Sequence, residues 1–334
     1  QIKSDINQSI SLFGGVTGAD KSQWSLNASQ MLKGEAYLWS AKVYNTTADL
    51  AEAKTALNAV TGSSLLSNFA NVFKTKNNSE IIFTIRYNVG EAEMSVGQFL
   101  YSTFNYDSQH YKDSLATGPL LVDPLKLAAT NSQQVIQRYG YTFELFQSYG
   151  VADTRRNATF YDYYKVNATS NPKAVTVRNT ALVKFIGPDP ATTTNKKYFT
   201  DDYPIYREAD RQLMLAEIAN AEGADPTPFI KLVRDRAFGP GLDPTPFVSG
   251  SKDQNEIAIF AERTKEFVYE GKRWYDLRRM KIGSEPLVFK STSHPYGVLT
   301  KGTQDYKVLW PIDKSVWTND PTVNQTPGYP TTKP

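Results

Sequence analysis

Apolar residues near the start of the chain recur with the period of an α-helix. In residues 27–44 they are spaced at steps of three and four, which places them on one helix face. Residues 47–60 repeat this spacing, and the small residue Gly34 in the first run would let a partner helix pack closely. The pattern therefore predicts a helix pair over about residues 26–61.

A second helix pair is predicted over about residues 205–238. Residues 205–221 carry an apolar stripe, and a further run over residues 228–237 begins with Pro228, which suits the start of a helix. Both pairs have the length of a tetratricopeptide-type repeat, although they match its consensus poorly. The sequence thus predicts a mostly α protein in which tetratricopeptide-like helix pairs pack against a loop-rich half with a few short strands.

The composition and periodicity of the sequence change between the two helix pairs. Residues 80–87 form a β-branched and aromatic run that predicts a strand, and residues 183–185 are a candidate second strand. Residues 88–202 are rich in Gly, Ser, Thr, Asn, Pro and Tyr and show little periodicity. A loop-dominated region of this size is usually functional or partly disordered, so we expect it to carry the ligand site.

The composition argues against an enzyme, a metal site and a nucleic-acid partner. There are no cysteines and only two histidines, which excludes a thiolate nucleophile and leaves no supportable Ser/His/Asp set. The glycine-rich residues 14–18 lack the lysine and hydroxyl residue of a phosphate-binding loop, and no pattern selects a catalytic pair of carboxylates. A net charge of +3 is small for 334 residues. We therefore predict no catalytic residues, no cofactor and no metal.

Residues 262–279, with the sequence ERTKEFVYEGKRWYDLRR, are the most informative segment. Glu262, Glu266 and Glu270 are four residues apart, so we expect them on one helix face, with Gly271 breaking the helix or admitting another backbone. The spacing alone is compatible with a solvated, salt-bridged helix face. The alternative is that arginine side chains pair with these carboxylates inside the protein. Such a buried pair would be a folding device, which means that it holds the fold together and takes no part in a reaction.

This segment resembles the C-terminal signature of the SusD/RagB family, ERRxELxxEGxRWxDLRR, from which it departs at Thr264. Other matches follow in family order, so the resemblance extends from residue 27 to residue 329. They are EIIFTIRY at 80–87, DTR at 153–155, YPIYR and LMLAE within 203–217, VRDRA at 233–237, LWPI at 309–312 and NQTPGY at 324–329.

The resemblance implies a SusD-like α/α superhelix, with the chain as a single domain over 1–334 that forms the C-terminal two thirds of the family fold. The C-terminal signature region covers residues 256–329. Because the chain begins abruptly, in what looks like an amphipathic helix, we expect it to be a piece of a longer protein. Family members carry an N-terminal lipid anchor, which is not present in this chain, and they lie on the extracellular face of the outer membrane.

The function implied by the resemblance is non-catalytic capture of an oligosaccharide or polysaccharide and its delivery to a TonB-dependent, SusC-like transporter. Two alternatives stay open: a RagB-like member that binds peptides or other nutrients, and a tetratricopeptide scaffold that binds proteins. A glycoside hydrolase is a third class, which the absence of a recognisable carboxylate pair disfavours.

Two aromatic clusters are candidate glycan-binding surfaces. Sugars pack their C–H faces on aromatic rings and hydrogen-bond to polar side chains, and residues 99–111 interleave both kinds of group. Residues 160–164, FYDYY, form a rival site or an edge strand. The candidate ligand-binding residues are Tyr101, Asn105, Tyr106, Tyr111 and Tyr163.

Overall fold

The computed structural model describes residues 1–94, 111, 118–119, 121, 125–126, 141–167, 174–189, 191, 196–320 and 322–331. The helices are α1 (Ile2–Leu12), α2 (Leu26–Val43), α3 (Asp49–Asn58), α4 (Asn71–Lys74), α5 (Phe143–Gln147), α6 (Arg155–Thr159), α7 (Glu208–Glu222), α8 (Thr227–Phe238), α9 (Lys252–Glu266), α10 (Arg273–Arg279) and α11 (Lys314–Asn319), with a 3-10 helix at Asp305–Val308. The strands are β1 (Ile81–Ile85), β2 (Phe160–Asn167), β3 (Ala174–Leu182), β4 (Tyr203–Arg207), β5 (Lys281–Ile282) and β6 (Glu285–Pro286).

The strands form three separate antiparallel pairs, β1 with β4, β2 with β3 and β5 with β6. Helices therefore dominate the described part of the chain, which confirms the predicted mostly α class with few short strands. None of the helices in the described ranges is long and apolar enough to cross a bilayer.

Helices α2 and α3 occupy the range predicted for the first helix pair. Ser25 caps α2 by accepting a hydrogen bond from the Ala28 backbone N–H at 3.3 Å. The two helices approach closely at Gly34, where a Cβ atom would lie 2.4 Å from Cδ2 of the buried Leu57. Glycine at this position is what allows the close approach.

Replacing Gly34 by valine should lower the free energy of unfolding by about 1–3 kcal/mol, the usual cost of overpacking a core. Urea denaturation followed by circular dichroism measures this change. The control is Ala51→Val on the exposed side of α3, which we expect to cost less than about 0.5 kcal/mol. Equal stability of Gly34→Val and wild type would mean that the helices are not in close contact here.

The second helix pair consists of α7 and α8, but it begins later than the sequence pattern predicts. Residues 205–207 belong to β4, which pairs with β1, and α7 starts at Glu208. The Glu208 backbone N–H donates to the Glu80 carbonyl at 2.8 Å, so pairing with β1 continues up to the helix start. This long-range pairing overrides the helical period of the local sequence.

The strand predictions had mixed outcomes. Residues 80–87 contain β1, and residues 160–164 open β2. The predicted strand over residues 183–185 is wrong, because β3 ends at Leu182 and the chain then turns. The turn buries Lys184, whose ammonium group donates to the carbonyls of Glu266 at 3.0 Å and Val268 at 3.1 Å.

Candidate functional site

The structure connects the two aromatic clusters that the sequence offered as rival sites. Tyr101, Asn105 and Tyr106 lie outside the described residues. Tyr111, at the end of the first cluster, pairs with Tyr164 of β2, and each backbone N–H donates to the other's carbonyl, at 2.8 and 2.9 Å. The first cluster therefore ends directly against the second.

The described side chains at this junction differ in exposure. Tyr111 and Tyr164 are each only 6 % exposed, so neither ring is presented to solvent here. Tyr161 and Asp162 of β2 are partly exposed, and burial together with the charge of Asp162 raises the pKa of Tyr161. Tyr163 lies on β2 opposite Asn179 of β3. That Tyr111 and Tyr163 contact a ligand stays a prediction.

The glutamates of residues 262–279 are inside the protein. The Glu266 carboxylate is fully buried and accepts hydrogen bonds from Arg155 at 2.9 Å, from Arg207 at 2.6 Å and from Arg236. Burial alone would raise the pKa of Glu266, but the charges of Arg236, Arg207 and Arg155 outweigh it and hold the pKa below its usual range.

Other buried charges extend this arrangement. Arg155 also binds Glu262 at 2.6 Å, and Arg207 also binds Glu80 at 2.8 Å and Glu270 at 2.7 Å. Burial lowers the pKa of Lys184 to about 8, although neighbouring Glu270 opposes the shift. We call this group the first ion network; its members are Glu80, Asp153, Arg155, Lys184, Arg207, Arg236, Glu262, Glu266 and Glu270.

A second ion network lies beside the first and joins α2, α7, α9 and α10. Arg263 of α9 binds Asp210 of α7 at 3.0 Å and Asp276 of α10 at 2.9 Å. Arg279 of α10 binds Glu217 of α7 at 2.9 Å. The members of this network are Lys42, Asp210, Glu217, Arg263, Lys272, Asp276 and Arg279.

Glu270 is not on the same helix as Glu262 and Glu266, contrary to the sequence interpretation. Helix α9 ends at Glu266, and the chain turns through left-handed conformations at Tyr269 (φ 62°) and Gly271 (φ 74°). Glu270 reaches Arg207 from this turn. Burial of the glutamates excludes a solvated helix face and supports the folding-device alternative.

The described residues contain no cluster of three or more His, Asp or Glu side chains that would suit a metal ion. The acidic groups of both networks are instead paired with arginine and lysine. These networks hold elements together, and the junction of the two aromatic clusters at β2 stays the candidate ligand site.

Comparison with known proteins identifies the family. A model of the SusD family matches residues 30–329. A SusD superfamily protein from Bacteroides fragilis is 36 % identical, with a TM-score of 0.86 over 98 % of this chain and 71 % of that one. NanU from B. fragilis is 31 % identical, with a TM-score of 0.80 over 98 % of this chain and 69 % of that one.

Surface glycan-binding protein A from Bacteroides uniformis shares the fold at 17 % identity, with a TM-score of 0.61 over 97 % of this chain and 67 % of that one. None of the curated protein sequences is significantly similar to this chain. The family match covers most of the chain and agrees with the buried signature segment. The chain therefore belongs to the SusD family.

Proposed function

We propose that this protein captures oligosaccharides at the extracellular face of the outer membrane and delivers them to a TonB-dependent, SusC-like transporter without breaking a bond. The family match over residues 30–329 is the observation that carries this proposal. In the full-length protein, an N-terminal lipid anchor would hold the domain at the membrane. Ligand transfer would then depend on affinity and on movement relative to the transporter.

The binding surface in this proposal includes both aromatic clusters. The backbone pairing of Tyr111 with Tyr164 holds the end of residues 99–111 against β2, where Tyr161 and Asp162 are partly exposed. Aromatic rings beside carboxylate and amide groups suit sugars, which offer apolar C–H faces and hydroxyl groups.

The first ion network supplies a fixed base for this surface. Helix α6 begins at Arg155, whose guanidinium is fully buried, and leads directly into β2 at Phe160. The ion pairs of Arg155 with Asp153, Glu262 and Glu266 hold the first residue of α6 in place. A site supported by such a network is pre-organised, which lowers the entropic cost of binding.

Replacing Tyr106 or Tyr101 by alanine should weaken binding of the cognate glycan roughly tenfold or more, through loss of ring contacts. Titration calorimetry across a panel of glycans measures the change. The matched control is Tyr44→Ala, since Tyr44 is 69 % exposed at the end of α2 and outside both clusters. Affinity that stays unchanged in Tyr101→Ala and Tyr106→Ala would contradict this placement of the site.

The same titrations test the function itself. Release of shorter sugars on incubation would contradict a non-catalytic role, and capture of peptides with no glycan bound would replace the glycan proposal with a RagB-like one. Delivery is tested by co-purification of the full-length, lipid-anchored protein with any SusC-like transporter that its neighbouring genes encode. Absence of a complex would contradict delivery and leave glycan capture standing.

A further inference from the structure

The chain is attached to the protein interior shortly before the first aromatic cluster, residues 99–111. The Met94 backbone N–H donates to the Phe199 carbonyl at 2.8 Å, and the Phe199 backbone N–H donates to Oε2 of Glu93 at 3.0 Å. Met94 and Phe199 are also buried in the same apolar cluster. Phe199 therefore fixes the chain on the N-terminal side of the candidate ligand residues.

The other end of the first aromatic cluster is attached to a different part of the fold. Tyr111 pairs with Tyr164 of β2, and β2 pairs along its length with β3. Strand β3 ends at Leu182, and the chain then turns. The relative position of the two ends of the cluster therefore depends on what joins the end of β3 to Phe199.

A direct contact between Gly187 and Asp201 makes this connection. The Gly187 backbone N–H donates to Oδ2 of Asp201 at 2.8 Å. Gly187 has a left-handed φ of 74°, and a Cβ atom there would lie 2.0 Å from the Tyr198 carbonyl oxygen, so only glycine allows this close approach. Because Gly187 and Asp201 are 14 residues apart along the chain, this contact holds them together and chain connectivity does not.

The Asp201 carboxyl group does not serve the stability of the fold at neutral pH. It is only 5 % exposed, and among the described residues it forms no ion pair. Burial raises its pKa to about 6, although the hydrogen bond from Gly187 and the charges of nearby lysines oppose the shift. Since the unfolded value is about 3.9, the ionised carboxylate costs stability at pH 7. This favours a role for its hydrogen bond in positioning the chain.

We propose that Asp201 is a positioning residue for the ligand site and that its hydrogen bond with Gly187 sets the separation between the two ends of the first aromatic cluster. The candidate ligand residues Tyr101, Asn105 and Tyr106 lie between those ends in the sequence. Holding the ends of a segment at a fixed separation removes conformations from that segment, which lowers the entropic cost of binding. The inference rests on the proposed glycan-binding function and adds what controls the affinity of that same site.

Two substitutions break the Gly187–Asp201 contact from opposite sides. Asp201→Ala removes the hydrogen-bond acceptor, and Gly187→Ala places a methyl group against the Tyr198 carbonyl. The chain is titrated in a calorimeter with short oligosaccharides of glucose, mannose, galactose and xylose. For a sugar that binds, we expect each substitution to weaken the affinity roughly fivefold, which corresponds to the net contribution of one hydrogen bond. If Gly187→Ala does not fold, Asp201→Ala alone decides.

The matched controls are Asp225→Ala and Gly223→Ala, which lie between α7 and α8. The Asp225 carboxylate likewise accepts a hydrogen bond from a backbone N–H, that of Thr227, at 2.9 Å. Gly223 has a similar φ of 77°, but a Cβ atom there would meet nothing within 4 Å. Gly223→Ala therefore introduces the backbone strain without the close approach. We expect both controls to leave the glycan affinity unchanged.

A conservative variant separates positioning from a general loss of stability. The carboxamide oxygen of asparagine also accepts a hydrogen bond, so Asp201→Asn should bind the sugar as the wild type does. Amide hydrogen exchange gives a readout that needs no ligand. Exchange at Gly187 and Met94 should be faster in Asp201→Ala and unchanged in Asp201→Asn, while exchange within α7 is the same in both. Faster exchange in α7 as well would indicate a general loss of stability and overturn the positioning role.

The outcomes separate this inference from the proposed function. Unchanged affinity in Asp201→Ala overturns the positioning role alone, because weaker binding in Tyr106→Ala in the same titrations would still support the glycan site. An affinity loss in Asp201→Asn as large as that in Asp201→Ala overturns the hydrogen bond as its cause. Absence of binding between the wild-type chain and every glycan overturns the proposed function and this inference together.

Discussion

Replacing Glu266 by glutamine should lower the free energy of unfolding by about 3–5 kcal/mol, the usual cost of breaking a buried ion pair from one side. The Glu266 carboxylate accepts from Arg155, Arg207 and Arg236, and it is fully buried. Glutamine has nearly the same shape but no charge, so the positive charges of three buried guanidinium groups would no longer be fully balanced by carboxylates. Urea denaturation followed by circular dichroism measures the loss.

The matched control is Glu222→Gln at the end of α7. Glu222 pairs with Lys54 at 2.7 Å near the surface, and exposed pairs contribute only about 0–1 kcal/mol. Adding Arg236→Met to Glu266→Gln removes one uncompensated charge and should recover part of the stability, as a double-mutant cycle would show. If Glu266→Gln destabilised the protein no more than Glu222→Gln, the first ion network would not contribute as described.

Acid should unfold the protein below about pH 4, through carboxylates whose pKa is lowered in the native state. Burial alone would raise the pKa of Asp210, but Lys272 and Arg263 outweigh it and lower the pKa to about 2. Between that value and the unfolded value of about 3.9, the unfolded chain binds more protons, so stability falls as pH falls. Asp210 alone accounts for roughly 2–3 kcal/mol, and the lowered pKa values of Glu217 and Glu266 act in the same direction.

Asp201 has the opposite effect at higher pH. Burial raises its pKa to about 6, so the native state binds this proton more tightly and gains stability as pH falls from about 6 to about 4. Urea denaturation from about pH 7 down to about pH 2.5 should therefore show a steep loss below pH 4. Asp201→Asn should abolish the gain in stability above pH 4 and leave the loss of stability below pH 4 unchanged. Constant stability down to pH 2.5 would contradict the lowered pKa values.

The sequence predicted most of the helical framework because α2, α3 and α8 bury one face each, and burial of one face imposes a helical period on the residues. Helix α7 is buried on nearly all sides, yet it still carries an apolar stripe. The prediction from sequence failed where contacts between residues far apart in the chain determine the backbone conformation. Residues 205–207 form a strand because they pair with β1. After Leu182 the chain turns, and the buried Lys184 ammonium group donates to the Glu266 carbonyl. Residue spacing also could not show that Glu270 reaches Arg207 from a turn beyond the end of α9.

The candidate ligand surfaces were only partly predictable for the same reason. Runs of aromatic and polar residues marked both clusters, but nothing local in either run indicates that Tyr111 pairs with Tyr164.

The first ion network also has a consequence for the rate of folding. Glu80 and Arg236 are 156 residues apart along the chain, and Arg155 and Glu266 are 111 residues apart. Contacts between such distant residues form slowly, because the chain entropy of closing long loops is lost before the contacts compensate for it. The ion pairs of Glu80 with Arg207 and Arg236 should therefore form late in folding, after the contacts that join residues close in sequence.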